Sequence, residues 1–153
     1  MAFAILYLMN RRTTKENNGN LKTYHIVFPY YVFENWFELL SEENKERKKI
    51  LKAPLEFDFF LKSLAEYFPY RQIEEILRIL AEYKIIPYVL DYTTIWKRLQ
   101  NVNNKQAMNM PRKKSNKLLK LTLVLDKGKN KIVSVQINIE DKNNVVSFTY
   151  SGA

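Results

Sequence analysis

The chain has 153 residues, 46% apolar and 27% charged, which suits one globular domain or two small modules sharing a core. It has no cysteine and a single histidine, His25, which excludes disulfides, thiolate metal sites and cysteine nucleophiles and leaves no histidine pair for a metal; three glycines are too few for a dinucleotide or phosphate-binding loop. The net charge of +9 points toward polyanionic partners, and it is uneven: residues 1–53 carry +3, residues 54–104 carry −1 and residues 105–153 carry +7.

The opening apolar run, Met1 to Met9, is too short to span a bilayer and lacks the basic start of a signal peptide. A cytoplasmic protein with no membrane partner is the expectation. Arg11 to Lys22 is polar around Asn17-Asn18-Gly19-Asn20 and reads as a loop. Phe28 to Leu40 is rich in aromatics, with Phe33, Trp36, Phe37 and Leu40 at helical spacing. Ser41 to Lys52 is a charged stretch. Pro54 suits a helix start, and the spacing from Leu55 to Phe68 predicts a helix that Pro69 ends. Ile73, Ile76, Leu77, Leu80 and Tyr83 give a second apolar stripe over Tyr70 to Lys84, closed by Pro87. Asp91 is a good N-cap for a third helix, Tyr92 to about Val102, with Ile95 and Leu99 facing inward. Together the last two helices read as a helix-turn-helix unit.

Asn101 to Asn116 is rich in Asn and Lys and reads as a linker. Beyond it the period changes to two. Leu119, Leu121, Leu123 and Leu125 alternate with Lys120, Thr122 and Val124, and Val133, Val135, Ile137 and Ile139 with Ser134, Gln136 and Asn138, with turns at Asp126–Asn130 and Asp141–Asn144 and a last strand from Val145. The expected fold class is therefore α+β: a helical helix-turn-helix-type region over residues 1–104, a linker over 105–116, and a small antiparallel three-stranded meander over 117–153.

The candidate DNA-contacting residues follow from this layout. Thr93, Thr94, Lys97, Arg98 and Gln100 lie on the third helix, where amides and hydroxyls suit base edges and cations suit phosphates. Thr93 and Thr94 also occupy the first turn, whose backbone N–H groups favour phosphate oxygens. Arg71 stands on the preceding helix, and Arg112, Lys113, Lys114 and Lys117 form a basic arm for tracking phosphates. The tyrosines and phenylalanines mostly sit at core spacing, and Trp36 and Trp96 are assigned to the core with them, Trp96 at its margin. No metal site and no cofactor is expected. A metal-dependent nuclease would have to draw on Asp126, Glu140 and Asp141.

The stretches Phe68-Pro-Tyr-Arg-Gln-Ile-Glu-Glu-Ile76 and Ile86-Pro-Tyr-Val-Leu-Asp-Tyr-Thr-Thr-Ile-Trp-Lys-Arg-Leu99 resemble the N-terminal helix-turn-helix region of archaeal insertion-sequence transposases of the Asp-Asp-Glu class. The strands Leu118–Asp126 and Lys131–Asp141 resemble, more loosely, two early strands of the RNase H-like catalytic domain of that group. The family carries its first catalytic aspartate soon after the helices, where this chain has Asn103 to Lys117 and no aspartate. No catalytic residue is carried across. The resemblance thus implies a transposase-derived protein of mobile-element origin that kept double-stranded DNA binding and lost the nuclease. An alternative reading, from the apolar face and edges of the three-stranded sheet, is an interaction module that pairs through the sheet with a second copy of the chain or a transposase subunit.

Overall fold

The computed structural model describes residues 13–18, 20–102 and 116–152, the first of these through the backbone alone. The chain is α+β. Its elements are β1 (Thr13–Asn18), β2 (Leu21–Pro29), α1 (Tyr31–Glu34), α2 (Trp36–Glu43), α3 (Phe57–Ala65), α4 (Tyr70–Glu82), α5 (Tyr92–Gln100), β3 (Leu118–Asp126), β4 (Lys131–Glu140) and β5 (Val145–Ser151). They form two compact units: a sheet unit of residues 1–30 and 115–153, and a helical unit of residues 31–114.

The sheet is antiparallel in the order β1-β2-β3-β4-β5. The meander expected from the sequence is present in β3–β5, but it is not three-stranded. β2 pairs with β3 along its whole length, and β1 adds to β2. Two expectations are corrected by this. Residues 21–29 belong to the sheet and not to a helical region over 1–104, and the polar stretch at Arg11–Lys22 contains β1 and the start of β2, with Asn18 facing Leu21. The physical reason is register. Tyr24, Ile26 and Phe28 stand opposite Leu123, Leu121 and Leu119, so one strand's apolar alternation matches the other's. The row continues to Val135, Ile137 and Ile139 in β4, and all but Ile139 of these nine side chains are buried.

Polar pairs occupy the opposite face. His25 Nδ1 lies 3.2 Å from Thr122 Oγ1, Lys120 is 2.8 Å from Glu140, and Ser147 donates to Asn138 at 2.8 Å. The β3–β4 turn is built on Asp126, whose carboxylate accepts from the backbone N–H of Gly128 and Lys129, while Asn130 takes a left-handed φ of 51°. A Cβ at Gly128 would stand 2.6 Å from Asn20 Nδ2, so glycine permits this approach to the β1–β2 hairpin.

In the helical unit the first helix is broken: α1 and α2 stand where one aromatic helix was expected, and Phe28 lies in β2 instead. Phe33, Trp36, Phe57 and Phe60 meet edge to face or tilted, with Phe33–Phe60 centroids 5.2 Å apart and Trp36–Phe57 4.8 Å apart. Such pairs add about 0.5–1.5 kcal/mol each beyond burial. Asn44 closes the loop after α2 by bonding both backbone groups of Leu51. α4 buries Ile73, Ile76, Leu77 and Leu80 as the stripe requires. It ends on Lys84, held at φ 62° while the Ile85 N–H reaches back to the Leu80 carbonyl at 2.9 Å. Among the described residues no helix is long and apolar enough to cross a membrane.

Candidate nucleic-acid interface

α5 is the element on which the sequence placed its DNA contacts, and its faces divide sharply. Asp91 caps it as expected, its carboxylate accepting from the Thr94 N–H at 2.7 Å and from the Thr93 hydroxyl at 2.9 Å. These hydrogen bonds, the Thr94 backbone bond first, hold the Asp91 carboxyl below its usual pKa. The Tyr92 N–H donates to the Glu74 carboxylate at 2.7 Å. Two carboxylates therefore occupy the helix N-terminus, the end a phosphate would seek. The expectation that Thr93 and Thr94 offer this turn to phosphate is corrected: both residues serve the cap.

Arg98 is also corrected as a surface contact. Its side chain is 11% exposed, its Nε stands 2.6 Å from Asp58 Oδ1, and its terminal nitrogen donates to the carbonyls of Ala53 and Pro54 at 2.9 Å each. The cause is helical spacing. Position 98 lies three residues beyond the buried Ile95, on the inward stripe. Around this pair the interior is unusually charged. Glu43 accepts from the Leu55 N–H at 2.8 Å and shares a hydrogen bond with Glu56, and burial pushes its carboxyl up to about 7. Burial also raises Asp58 to about 6, with the Arg98 guanidinium pulling the other way. Tyr31 lies near Glu56, and burial raises its hydroxyl well above the ordinary value.

The outward strip of α5 is Tyr92, Thr93, Trp96, Lys97, Gln100 and Asn101, all exposed and none acidic. Lys97 and Gln100 stand where the sequence placed them. Trp96 does not: it is 49% exposed rather than in the core, whereas Trp36 is 2% exposed and is core as expected. Arg71, on α4, joins the strip by stacking its guanidinium on Tyr92, 4.4 Å from the ring centroid, and donating to the Tyr92 hydroxyl at 3.2 Å. Tyr92 and Trp96 went unrecognised as site residues, although their spacing of four puts both on one helix face, away from the buried Ile95. α4 and α5 are joined by Tyr83 to Asp91, longer than the turn of about three or four residues in a helix-turn-helix unit.

The remaining candidates do not gather here. Arg112, Lys113 and Lys114 fall outside the described residues, as does most of the linker expected at 105–116. Lys117 is half-buried just before β3, its carbonyl accepting from the Tyr30 N–H at 3.0 Å. The three acids of the nuclease alternative do not converge. Asp126 stands at one end of the β3–β4 pair, and Glu140, opposite Leu118, and Asp141 just after it at the other. A nine-residue strand separates those ends by about 30 Å, against the roughly 4 Å of a two-metal site. Among the described residues no group of three His, Asp or Glu is placed to hold a metal. A groove of about 450 Å³ runs past Phe33, Phe37, Ile85 and Pro87, with Glu34 and Lys84 as its charged lining. Comparison with known protein families, curated proteins and solved structures finds no match.

Proposed function

We propose that the chain is a non-catalytic DNA-binding protein whose contact surface is the outward strip of α5 with Arg71 beside it. One observation carries the reading: the strip presents Lys97, Gln100 and Asn101 together with two aromatic rings and no acid, on a protein of net charge +9. Two acids of the helical unit are engaged elsewhere, Asp58 inside and Glu74 on Arg78 and Tyr92. The proposed contacts are Arg71, Lys97 and Gln100. The proposed origin is the transposase kinship that the Pro-Tyr-Arg-Gln and Asp-Tyr-Thr-Thr-Ile-Trp-Lys-Arg stretches imply, and the proposed role is regulation of, or competition with, a full-length transposase.

A salt titration of DNA binding, with magnesium present and the DNA run afterwards for cleavage, tests this. Salt-sensitive binding of uncut DNA is expected, and Lys97→Ala should lower the salt slope by about one. An unchanged slope and affinity in Lys97→Ala would remove α5 from the interface.

A second reading rests on β5. This edge strand carries no charged residue, and Val145 and Val146 on it are 60% and 50% exposed. An uncharged edge is a template for another strand, here a second copy or a transposase subunit. Light scattering showing a dimer that Val146→Lys dissolves would favour it; a monomer at high concentration would exclude self-pairing.

A further inference from the structure

Resting on the reading of α5 as a DNA-contacting surface, we infer that its ligand is single-stranded DNA, held by stacking unpaired bases on Trp96 and Tyr92. Three features of the strip favour a single strand over the major groove of a duplex.

The first is spacing. Tyr92 and Trp96 are four residues apart on one helix face, about 6 Å along the axis, whereas stacked bases in a strand are about 3.4 Å apart. Rings at that separation match bases already pulled out of their stack. The second is preorganisation. Arg71 covers one face of Tyr92 and bonds its hydroxyl, so the ring is held and a cation sits beside it for the phosphate backbone. Trp96 has no ring partner or side-chain hydrogen bond among the described residues and stands half in solvent. The third is electrostatic. A duplex reader of this type places the N-terminal residues of its second helix against base edges. Here that end bears the exposed carboxylate of Asp91, which repels phosphate, and its Tyr92 N–H is already taken by Glu74, while the cations Lys97 and Arg71 flank the rings. An aromatic surface with flanking cations is the arrangement that binds single strands with little sequence preference.

The chain has two tryptophans, and Trp36 is buried, so quenching of emission by added DNA reports on Trp96. The full chain is titrated with a 12-nucleotide oligothymidine and with a 12-base-pair duplex at about 50 mM salt, where phosphate contacts are strong. Expected are saturable quenching by oligothymidine and binding about tenfold tighter than to duplex. With fluorescein-labelled oligothymidine read by anisotropy, Trp96→Ala should weaken binding about tenfold and Trp96→Phe much less, the size of one lost stacked base. Duplex bound as tightly as the single strand, with neither affected by Trp96→Ala, would overturn this inference and leave the DNA-binding reading standing. Failure of both to bind would overturn the two together. Tighter binding of oligouridine than of oligothymidine would overturn the assignment to DNA.

Discussion

The sheet unit and the helical unit handle their charges in opposite ways. In the sheet, alternation sends apolar side chains to one face and polar ones to the other, where Lys120 meets Glu140 at the surface. In the helical unit the charges go inward: Arg98, Asp58, Glu43 and Glu56 converge on the turn that leads into α3. The formal charge of a segment is therefore a poor measure of the charge it shows. Residues 54–104 sum to −1, yet the outward strip of α5 has no acid: Asp58 is buried against Arg98, Asp91 caps the helix, and Glu74 pairs with Arg78.

The contrast is broken most directly at Arg98. Arg98→Ala leaves the Asp58 carboxyl buried beside an empty site and should cost about 3–5 kcal/mol, read by urea unfolding followed through tryptophan emission in a Trp96→Phe background, where only Trp36 reports. The double change Asp58→Leu with Arg98→Met should restore most of that loss, since apolar replacement of a whole buried pair is often neutral or better. Full loss in the double variant would show that the guanidinium bonds to Ala53 and Pro54 carry the stability. The matching change in the sheet, Leu121→Ala, should cost about 3 kcal/mol through a cavity alone, and that loss should not vary with pH.

A pH scan sharpens the same contrast. Glu43 and Asp58 have folded-state values raised to about 7 and about 6, above their ordinary 4.5 and 3.8. Their stabilising contribution is thus complete below about pH 4 and is lost as pH rises through 6 to 7. The helical unit should melt about 5 °C lower at pH 8 than at pH 5, and Glu43→Gln should flatten that slope. A slope unchanged by Glu43→Gln would place the proton uptake elsewhere. Smallest is a gain: Lys84 pays for a left-handed φ at the end of α4, and Lys84→Gly should raise the melting temperature by about 3 °C, roughly 1 kcal/mol, measured by calorimetry.

The elements whose signals are local were legible in the sequence. α4, α5 with its Asp91 cap, and β3 to β5 fall within a few residues of where periodicity and turn chemistry put them. β2 was not. Its own alternation, Tyr24, Ile26 and Phe28, runs straight into the aromatic residues of α1 and α2, and its partner strand lies beyond the whole helical unit. Of the candidate site, Lys97 and Gln100 were legible as exposed residues. Arg98 and Trp96 were exchanged because residue type was weighed above helical position. A tryptophan was sent inward and an arginine outward, while positions 92, 96 and 100 form the outward row and 95 and 98 the inward one.

The pairing of β2 with β3 also governs the order in which the molecule can assemble. Phe28 and Leu119 are neighbours in the sheet yet about ninety residues apart in the chain, a separation whose closure entropy must be met before the contact returns anything. The intervening helices are rich in short-range contacts and can collapse by themselves, which draws in the chain between the two strands. On the ribosome the helical unit leaves before β3 exists, so β2 waits for its second partner with only β1 beside it. Pulse-labelled hydrogen exchange during refolding should accordingly protect the amides of α4 ahead of those of β2.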